Sequence, residues 1–337
     1  MKDGKTLVLG IETSCDETAA AVVADGREII SNVIASQIDV HRVFGGVVPE
    51  IASRHHLIAV NEIAAEAMGE ISPAEIDAVA VTEGPGLVGA VLIGIATAKS
   101  YAYAWGKPLV GVHHIRGHIC AALLETKELE PPFLSLVVSG GHTSIVDVAG
   151  IGEMTVIGST RDDAAGEAYD KVAHVLGLGY PGGPLVDELA RSGDPDAIAF
   201  KRVMLEAGSL DFSFSGIKTG VMNFMNTERQ AGREPNAADV AAGFQQSVID
   251  VLTAKTMMAL ERTGRKNLTV CGGVAANSAL RARMKKACEE KGIGLYIPSP
   301  ILCTDNAAMI ASAGYFAFEA GERADLYLDA HAALELD

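Results

Sequence analysis

Residues 6–23, TLVLGIETSCDETAAAVV, decide the fold class of this chain. An apolar run leads into the polar turn ETSCDET, and a second apolar run follows it. Residues 133–148, FLSLVVSGGHTSIVDV, repeat the arrangement about 125 residues later, with a glycine turn in place of the polar one. Two strand–turn–strand units at this separation, with helical patterns between them, predict an α/β protein built from two related lobes.

The composition excludes several classes of protein. The chain has 337 residues, of which 49% are hydrophobic and 21% charged, as is typical of a folded globular protein. A formal net charge of −16 argues against non-specific coating of nucleic acid, although it allows a local basic patch. The longest nearly apolar run, 87–98, is shorter than the ~20 residues that span a bilayer. Five scattered cysteines and an N-terminus without an apolar signal region predict a reduced, cytoplasmic protein.

Apolar spacing and turn residues place further elements along the chain. They predict helices at 54–68, 89–105, 115–126, 163–176, 240–262 and 278–291, and strands at 77–81, 267–271 and 295–300. Asp305 is predicted to cap the last substantial helix. Residues 128–132 are the best candidate for a linker between lobes, and residues 227–236 for a polar surface loop.

The two strand–turn–strand corners are candidate phosphate sites. Hydroxyls and carboxylates at 12–18 can surround a phosphate and its metal, whereas Gly140 and Gly141 allow backbone amides to approach an anion. If the two turns face each other, they can hold a nucleotide phosphate from both sides. A solvated hairpin is the alternative interpretation of the 12–18 turn.

A histidine pair forms the candidate metal site. His114 and His118 are four residues apart, so on a helix they share a face and can chelate one ion. Asp305, at a strand-to-helix corner, is a suitable distant third ligand. Two histidines and one carboxylate leave open positions and fit Fe(II) or Zn. The spacing also occurs by accident on helix surfaces, and His55 with His56 is a poorer candidate because adjacent side chains diverge.

Other motifs give weaker signals. Residues 84–89 match GxGxxG, but the acidic residue that binds ribose in a Rossmann fold is absent, so a tight turn into a closely packed helix is favoured. Residues 215–218 and 218–220 match the SxxK and KTG motifs of penicillin-binding enzymes, but both would use Lys218, so serine acyl-enzyme chemistry is not expected.

Two further groups are candidate ligand contacts. A strand runs into Gly272 and Gly273, after which Asn277 can hydrogen-bond a base or ribose. The carboxylates of Asp163, Glu167 and Asp170 fall on one predicted helix face, where repulsion between like charges favours a solvated surface. If that face is turned towards a ligand instead, Asp170 can bind its hydroxyl groups.

Taken together, these residues resemble a known family, the bacterial TsaD (formerly Gcp) branch of the tRNA threonylcarbamoyladenosine synthesis family. The resemblance covers nearly the whole chain. It rests on GIETSCDET (10–18), GGVVPEIASRHH (45–56), TEGPGL (82–87), HHIRGH (113–118), VSGGHT (138–143), GEAYDKVA (166–173), YPGGP (180–184), DFSFSGIKT (211–219), CGGVAAN (271–277) and TDNAAM (304–309).

The resemblance implies a two-lobed actin/Hsp70/sugar-kinase (ASKHA) fold with a central nucleotide cleft. Its N-terminal lobe would span 1–128, joined by the C-terminal helix 306–337, and its C-terminal lobe 129–305. The implied reaction transfers threonylcarbamoyl from threonylcarbamoyl-AMP to N6 of adenosine 37 in tRNAs that read ANN codons, forming t6A and AMP. The implied partners are a TsaB-like paralogue, a TsaE-like ATPase and a TsaC-type enzyme that supplies the adenylate.

The resemblance also implies the site residues. Metal ligands fall on His114, His118 and Asp305, with Fe(II) favoured and Zn as the other option. Substrate-binding positions fall on Val138, Ser139, Gly140, Gly141, His142, Asp170, Gly183, Asp187 and Asn277. Asp16 or Glu17 suits acceptance of the proton from N6, because both are carboxylates in the polar turn.

A tRNA enzyme of charge −16 needs a local basic surface. Arg281, Arg283, Lys285, Lys286 and Lys291 make one helix basic, and Lys201 with Arg202 forms a second basic pair, although a solvated face explains both equally well. Three other functions stay open. They are a metal-dependent peptidase, which the family's old sialoglycoprotease label proposes, a nucleotide-gated scaffold and a small-molecule kinase.

Overall fold

The computed structural model describes residues 4–336 and contains two five-stranded sheets. The first sheet has the strand order β3-β2-β1-β4-β5, and the second the order β10-β9-β6-β7-β8. The strands are β1 (Leu7–Glu12), β2 (Glu17–Ala24), β3 (Glu28–Ser36), β4 (Ala78–Gly84), β5 (Leu109–His113), β6 (Phe133–Val138), β7 (Thr143–Gly150), β8 (Glu153–Ser159), β9 (Asn267–Cys271) and β10 (Gly294–Tyr296).

Eleven α-helices accompany the sheets in the described residues. They are α1 (Ile38–Arg42), α2 (Pro49–Met68), α3 (Val88–Trp105), α4 (His114–Glu125), α5 (Ala165–Val175), α6 (Gly182–Ala190), α7 (Ser215–Gln230), α8 (Ala237–Thr263), α9 (Ser278–Lys291), α10 (Pro300–Cys303) and α11 (Ala307–Glu319). Short 3₁₀ helices occupy Pro73–Glu75 and Gly273–Ala276.

The two sheets share one topology, which confirms the predicted internal duplication. In the first, β1 pairs antiparallel with β2 and parallel with β4. In the second, β6 pairs antiparallel with β7 and parallel with β9. In both sheets the antiparallel hairpin carries the polar or glycine turn that the sequence singled out.

Small residues let helices approach the first sheet closely. Every residue of β1 is buried, and α11 packs against β1, β2 and β4. A methyl group at Gly10 in β1 would lie 2.4 Å from the carbonyl oxygen of Ala307 in α11. A side chain at Gly10 would therefore force α11 away from the strand that carries the polar turn.

The chain divides into two compact units. The first comprises the residues up to Pro131, Ala149–Met154 and the residues from Ile301 onward, and the second comprises Pro132–Val148 and Thr155–Pro300. The sequence-based lobes, 1–128 with 306–337 and 129–305, stay a prediction about folding units. Among residues 4–336, no helix is both long and apolar enough to cross a membrane.

Most predicted elements are present with shifted ends. The helix predicted at 54–68 begins earlier, at Pro49, because proline is favoured in the first turn of a helix. The polar loop predicted from residue 227 is wrong at its start, since α7 continues to Gln230. The cap predicted at Asp305 is wrong as well. Asn306 caps α11, accepting a 3.0 Å hydrogen bond from the backbone N–H of Met309, and the Asp305 side chain takes no part in the cap.

Candidate metal centre and ligand-binding positions

The carboxyl end of β5 fixes where the histidine helix begins. His113 is the N-cap of α4, and its Nδ1 accepts a 3.1 Å hydrogen bond from the backbone N–H of Ile115. Because Nδ1 accepts, Nε2 carries the ring proton and donates it to the carbonyl oxygen of Leu334 at 3.1 Å. The C-terminal segment therefore holds the first turn of the helix that carries His114 and His118.

Three side chains converge beside this helix. His114 Nε2 lies 3.6 Å from Asp305 Oδ1, and His118 Nε2 lies 3.2 Å from the same oxygen. One ligand atom from each of the three residues lies within 4.8 Å of the others. The two imidazole rings, one helical turn apart, have centroids 4.7 Å apart and an interplanar angle of 82°. The structure thus brings together the three ligands that spacing and resemblance predicted.

His118 shows that this trio suits a cation. Its side chain is completely buried, and within residues 4–336 neither of its ring nitrogens has a hydrogen-bond partner. The 3.2 Å approach to Asp305 lacks hydrogen-bond geometry. An orphaned buried nitrogen is costly, and coordination of a divalent ion through its lone pair would remove that cost. The two nitrogens and one carboxylate therefore fit the divalent metal that the family resemblance implies.

Glu12, at the end of β1, orients His114, and the sequence singled it out only as one carboxylate of the 12–18 turn. Its fully buried carboxylate accepts hydrogen bonds from His114 Nδ1 at 2.9 Å, from Thr82 Oγ1 at 2.7 Å and from the backbone N–H of Ser14. With the Nδ1 proton held by Glu12, Nε2 is the nitrogen of His114 that is directed at Asp305, and it becomes a metal ligand when it loses its own proton. The available signal was a carboxylate directly after an entirely apolar strand.

The charges of neighbouring groups outweigh burial in setting the protonation states of Glu12 and His114. Burial by itself would lower the pKa of His114, but the carboxylates of Glu12 and Asp305 outweigh it and raise that pKa to about 9. Burial would likewise raise the pKa of Glu12, yet His114 holds it below its usual value. Glu12 is therefore ionised at neutral pH and is available as an acceptor for the His114 proton.

Asp16 and Glu17 lie in the same unit, in the turn between β1 and β2. Glu17 Oε1 accepts a 3.0 Å hydrogen bond from Ser36 Oγ. Burial, with the nearby carboxylates of Asp305 and Asp16, raises the pKa of Glu17 to about 9. Glu17 is thus a proton donor at neutral pH unless a cation offsets the charge of Asp305. Asp16, the other carboxylate of this turn, is buried.

His56 holds this turn in place. Its Nε2 lies 2.9 Å from the carbonyl oxygen of Cys15, which can only accept, so Nε2 donates. Its Nδ1 then accepts from Thr18 Oγ1 at 2.8 Å. The bonded atoms belong to the residues on either side of Asp16 and Glu17. His55 and His56 therefore do not chelate an ion together. This agrees with their adjacent positions in the sequence, from which their side chains were expected to diverge.

The second unit carries the predicted phosphate turn, Val138 to His142. The Ser139 backbone N–H donates to the His142 carbonyl oxygen at 2.8 Å, which closes the turn. No atom of residues 4–336 lies within 4 Å of where a Cβ would stand on Gly140 or Gly141. The N-terminus of α5 packs directly behind, because a Cβ on Gly166 would lie 2.8 Å from Gly140 Cα. Open glycines backed by a helix N-terminus form an arrangement suited to an anion.

Two predicted ligand residues, Asp187 and Asn277, are joined through Gln245. Gln245 Nε2 donates to Asp187 Oδ1 at 3.2 Å, and Gln245 Oε1 accepts from Asn277 Nδ2 at 2.7 Å. Asp187 also accepts from the backbone N–H and the hydroxyl of Ser278. A cavity of about 180 Å³ borders Asp187, Gln245 and Ser278. Asn277 Oδ1 caps α9 through the Leu280 N–H, and its amide nitrogen has a second N–H besides the one that Gln245 accepts.

The remaining predicted positions have structural partners. Asp170 Oδ1 accepts from the Gly182 N–H at 2.7 Å and so ties α5 to the start of α6, whereas Gly183 has open space at its Cβ position. Asp163 precedes α5 and does not share its face, which corrects the predicted carboxylate row. It pairs with Lys218 at 2.5 Å and with Lys171 at 3.2 Å.

The structure explains why the SxxK/KTG match and the GxGxxG match do not form the sites that these motifs form in other proteins. Lys218, the shared lysine of the SxxK and KTG matches, pairs with Asp163 at 2.5 Å, so its side chain is bound to a carboxylate instead of serving as a partner for Ser215. At the GxGxxG match, a Cβ on Gly86 would lie 2.7 Å from the carbonyl oxygen of Ser14. Gly86 therefore permits the tight turn and close packing that the sequence favoured over a dinucleotide-binding site.

Comparison with known proteins is consistent with this geometry. Component A of the (R)-2-hydroxyglutaryl-CoA dehydratase of Acidaminococcus fermentans, 15% identical, matches with a TM-score of 0.53 over 94% of this chain and 98% of its own. Full-length HypF, in a phosphate- and nucleotide-bound crystal form, is 13% identical and matches with a TM-score of 0.61 over 94% of this chain and 47% of that protein. At these identities the likenesses show the fold alone, which is of the ASKHA type.

Sequence comparison is more specific. A tRNA N6-adenosine threonylcarbamoyltransferase of Clostridium beijerinckii is 55% identical over 98% of this chain and 98% of its own length. The model of the TsaD family, described as tRNA N6-adenosine threonylcarbamoyltransferase, matches residues 28–312, which include His114, His118 and Asp305. The chain therefore belongs to the TsaD family.

Proposed function

We propose that this chain transfers the threonylcarbamoyl group from threonylcarbamoyl-AMP to N6 of adenosine 37 in tRNAs that read ANN codons, giving t6A and AMP. The observation that carries the proposal is the convergence of His114, His118 and Asp305, with both nitrogens of His118 buried and orphaned, in a chain that matches the TsaD family over residues 28–312. The family match gives no support to the peptidase, scaffold or kinase alternatives.

The chemistry sets modest demands on the protein. The N6 lone pair is delocalised into the adenine ring and is a poor nucleophile, while AMP is a good leaving group, so the carbamoyl carbon is already activated. The N6–carbon bond forms, the carbon–phosphate oxygen bond breaks, and one proton leaves N6. The residues must therefore position the reactants, accept that proton and stabilise negative charge on the carbonyl and phosphate oxygens.

The first unit supplies the metal ligands and the proton acceptor. A divalent ion held by His114, His118 and Asp305 would act as a Lewis acid towards developing oxygen charge. Glu12 keeps the Nδ1 proton of His114, so that the other ring nitrogen stays available as a ligand. We assign proton acceptance to Asp16 or Glu17, the two carboxylates of the turn between β1 and β2. His56 fixes the turn on which both carboxylates stand.

The second unit supplies the positions proposed for the adenylate. The turn of Val138, Ser139, Gly140, Gly141 and His142 offers open backbone next to the N-terminus of α5, which suits the phosphate. Asp170, Asp187 and Asn277 are polar groups that suit the ribose and the base, and Gly183 leaves space beside them. Each carboxylate oxygen of Asp187 already accepts hydrogen bonds from the protein. We therefore assign Asp187 the role of a fixed negative charge beside the ligand and not that of a proton acceptor.

Further parts of the proposal concern the setting of the reaction. We assign Fe(II) as the favoured ion and Zn as the second choice, because two imidazoles and one carboxylate suit both. A TsaB-like paralogue and a TsaE-like ATPase would assist, and a TsaC-type enzyme would supply the adenylate. We propose the cytoplasm as the setting of the reaction, since the substrate is a tRNA.

Reconstitution tests the proposal. The chain, the three partner proteins, threonine, bicarbonate, ATP and tRNA are combined, and each component is omitted in turn while t6A is measured by nucleoside mass spectrometry. We expect t6A only when this chain is present, and a loss of t6A with His118→Ala. Formation of t6A at the full rate without this chain would refute the assignment.

A further inference from the structure

The surface of α9 has a charge opposite to that of the chain as a whole. Residues 281–291 contain five cations and two carboxylates, a net charge of +3 in a chain of −16. The remainder of the chain is therefore even more acidic than the total. A polyanion approaching this protein is repelled by most of its surface and attracted to this segment.

Most other cations of the described residues are already neutralised. They form ion pairs or are fixed by backbone carbonyls, as in Arg27–Glu130, Arg161–Asp211, Lys171–Glu167, Arg202–Asp250, Arg233–Glu228 and Arg265–Asp147. The second basic pair that the sequence offered, Lys201 with Arg202, is reduced to a single cation because Arg202 is bound to Asp250 at 3.0 Å.

On α9, Arg283 and Lys286 stay available, whereas Lys291 is paired with Glu261. Arg283 and Lys286 are exposed, one helical turn apart on one face, and neither has an ion-pair partner within residues 4–336. Lys285 reaches Glu289 only at 4.0 Å, with both side chains largely exposed, so this pair holds the ammonium weakly. Arg281 is different. It donates to the carbonyl oxygen of Ala275 at 2.7 Å and anchors the start of the helix.

The position of α9 in the second unit supports the same conclusion. The helix begins at Ser278, which donates to Asp187, and its cap is Asn277, two positions proposed to bind the adenylate. With 14 residues, α9 is about 21 Å long. A phosphate backbone lying along α9 therefore extends from the ligand-binding positions outward.

We propose that the exposed face of α9, centred on Arg283 and Lys286, binds the phosphate backbone of the tRNA substrate. The proposal rests on the proposed function, which supplies the polyanion. It adds a docking surface outside the metal centre and the ligand-binding positions.

The test uses the reconstituted transfer reaction with the double variant Arg283→Ala/Lys286→Ala. We expect the KM for tRNA to rise at least about tenfold at low salt, while kcat at saturating tRNA is retained. The slope of log KM against log salt should fall by about two, one for each lost phosphate contact. The matched control is Lys127→Ala/Arg229→Ala, which removes two exposed cations elsewhere and should leave both quantities unchanged.

Each outcome separates the docking surface from the function. If the wild-type mixture forms no t6A, the proposed function fails. If the wild type is active and the α9 variant keeps its KM and salt slope, the face is only solvated and the docking proposal is wrong. It is also wrong if the variant changes the KM for a partner protein instead of tRNA. Melting temperature and metal content check that the variant is folded, and Lys286→Ala alone should show about half of the change in salt slope.

Discussion

Replacing Glu12 by glutamine should weaken metal binding, because an amide cannot serve all three donors that the carboxylate serves. Glu12 accepts from His114 Nδ1, from Thr82 Oγ1 and from the Ser14 N–H. A glutamine has one oxygen, so its NH₂ group must face at least one of these donors. His114 then loses its charged acceptor, and one buried donor is left unsatisfied.

The expected loss is 10- to 100-fold in metal affinity, the range seen when a carboxylate that orients a metal-bound histidine is removed. This corresponds to about 1.4–2.8 kcal/mol. The assay is titration of the metal-free protein with Co²⁺, followed by its visible absorption and checked by elemental analysis. Glu83→Gln is the matched control, since the Glu83 carboxylate lies against Gly111. An affinity of Glu12→Gln within twofold of the wild type would refute the positioning role.

Three further predictions follow from single features. His118→Ala should reduce bound divalent metal, measured by elemental analysis, from one equivalent to below a tenth, and retention of a full equivalent would remove His118 from the ligand set. Gly10→Ala should lower the free energy of unfolding by about 3 kcal/mol or more in denaturant titrations, because its methyl group would lie 2.4 Å from the Ala307 carbonyl oxygen. Gly46→Ala, with open space at its Cβ, should change it by less than about 0.5 kcal/mol, and equal effects would contradict the packing argument. Burial lowers the pKa of His56 below 6.5, so below that pH the unfolded chain binds a proton that the folded chain does not, and stability falls as the pH falls. The loss between pH 7.5 and 5.5, at most about 1.4 kcal/mol per pH unit for one proton, should be smaller in His56→Gln, and identical losses would exclude His56 as the cause.

Much of the fold was accessible from the sequence because its main signals are local. The apolar runs flanking the two turns predicted the hairpins β1–β2 and β6–β7, and the matching sheet topologies confirm the duplication. Asn267–Cys271 and Ser278–Lys291 were predicted with the ends that the structure gives them. Glycine and asparagine at the ends of these elements mark the boundaries in the sequence itself.

The parts that sequence reasoning missed depend on contacts between distant residues. Asp305 looked like a helix cap because Asp and Asn are both good caps, and only the fold shows that Asn306 caps α11. The sequence marks Glu12 only as a carboxylate at the end of an apolar run, and it does not show which residue Glu12 orients, since its partner His114 is 102 residues away. The helix Ser215–Gln230 was obscured by the SxxK match at its start, where Asp162 accepts hydrogen bonds from the first backbone amides.

The most direct test of the central claim is made in cells. A bacterial strain depleted of its own TsaD-family protein is complemented with this chain or with its His118→Ala variant, and nucleosides from total tRNA are quantified by mass spectrometry. The wild-type chain should restore t6A, and the variant should not. A strain that regains t6A equally with both, or with neither although both proteins are folded and expressed together with matching partner proteins, would contradict the account.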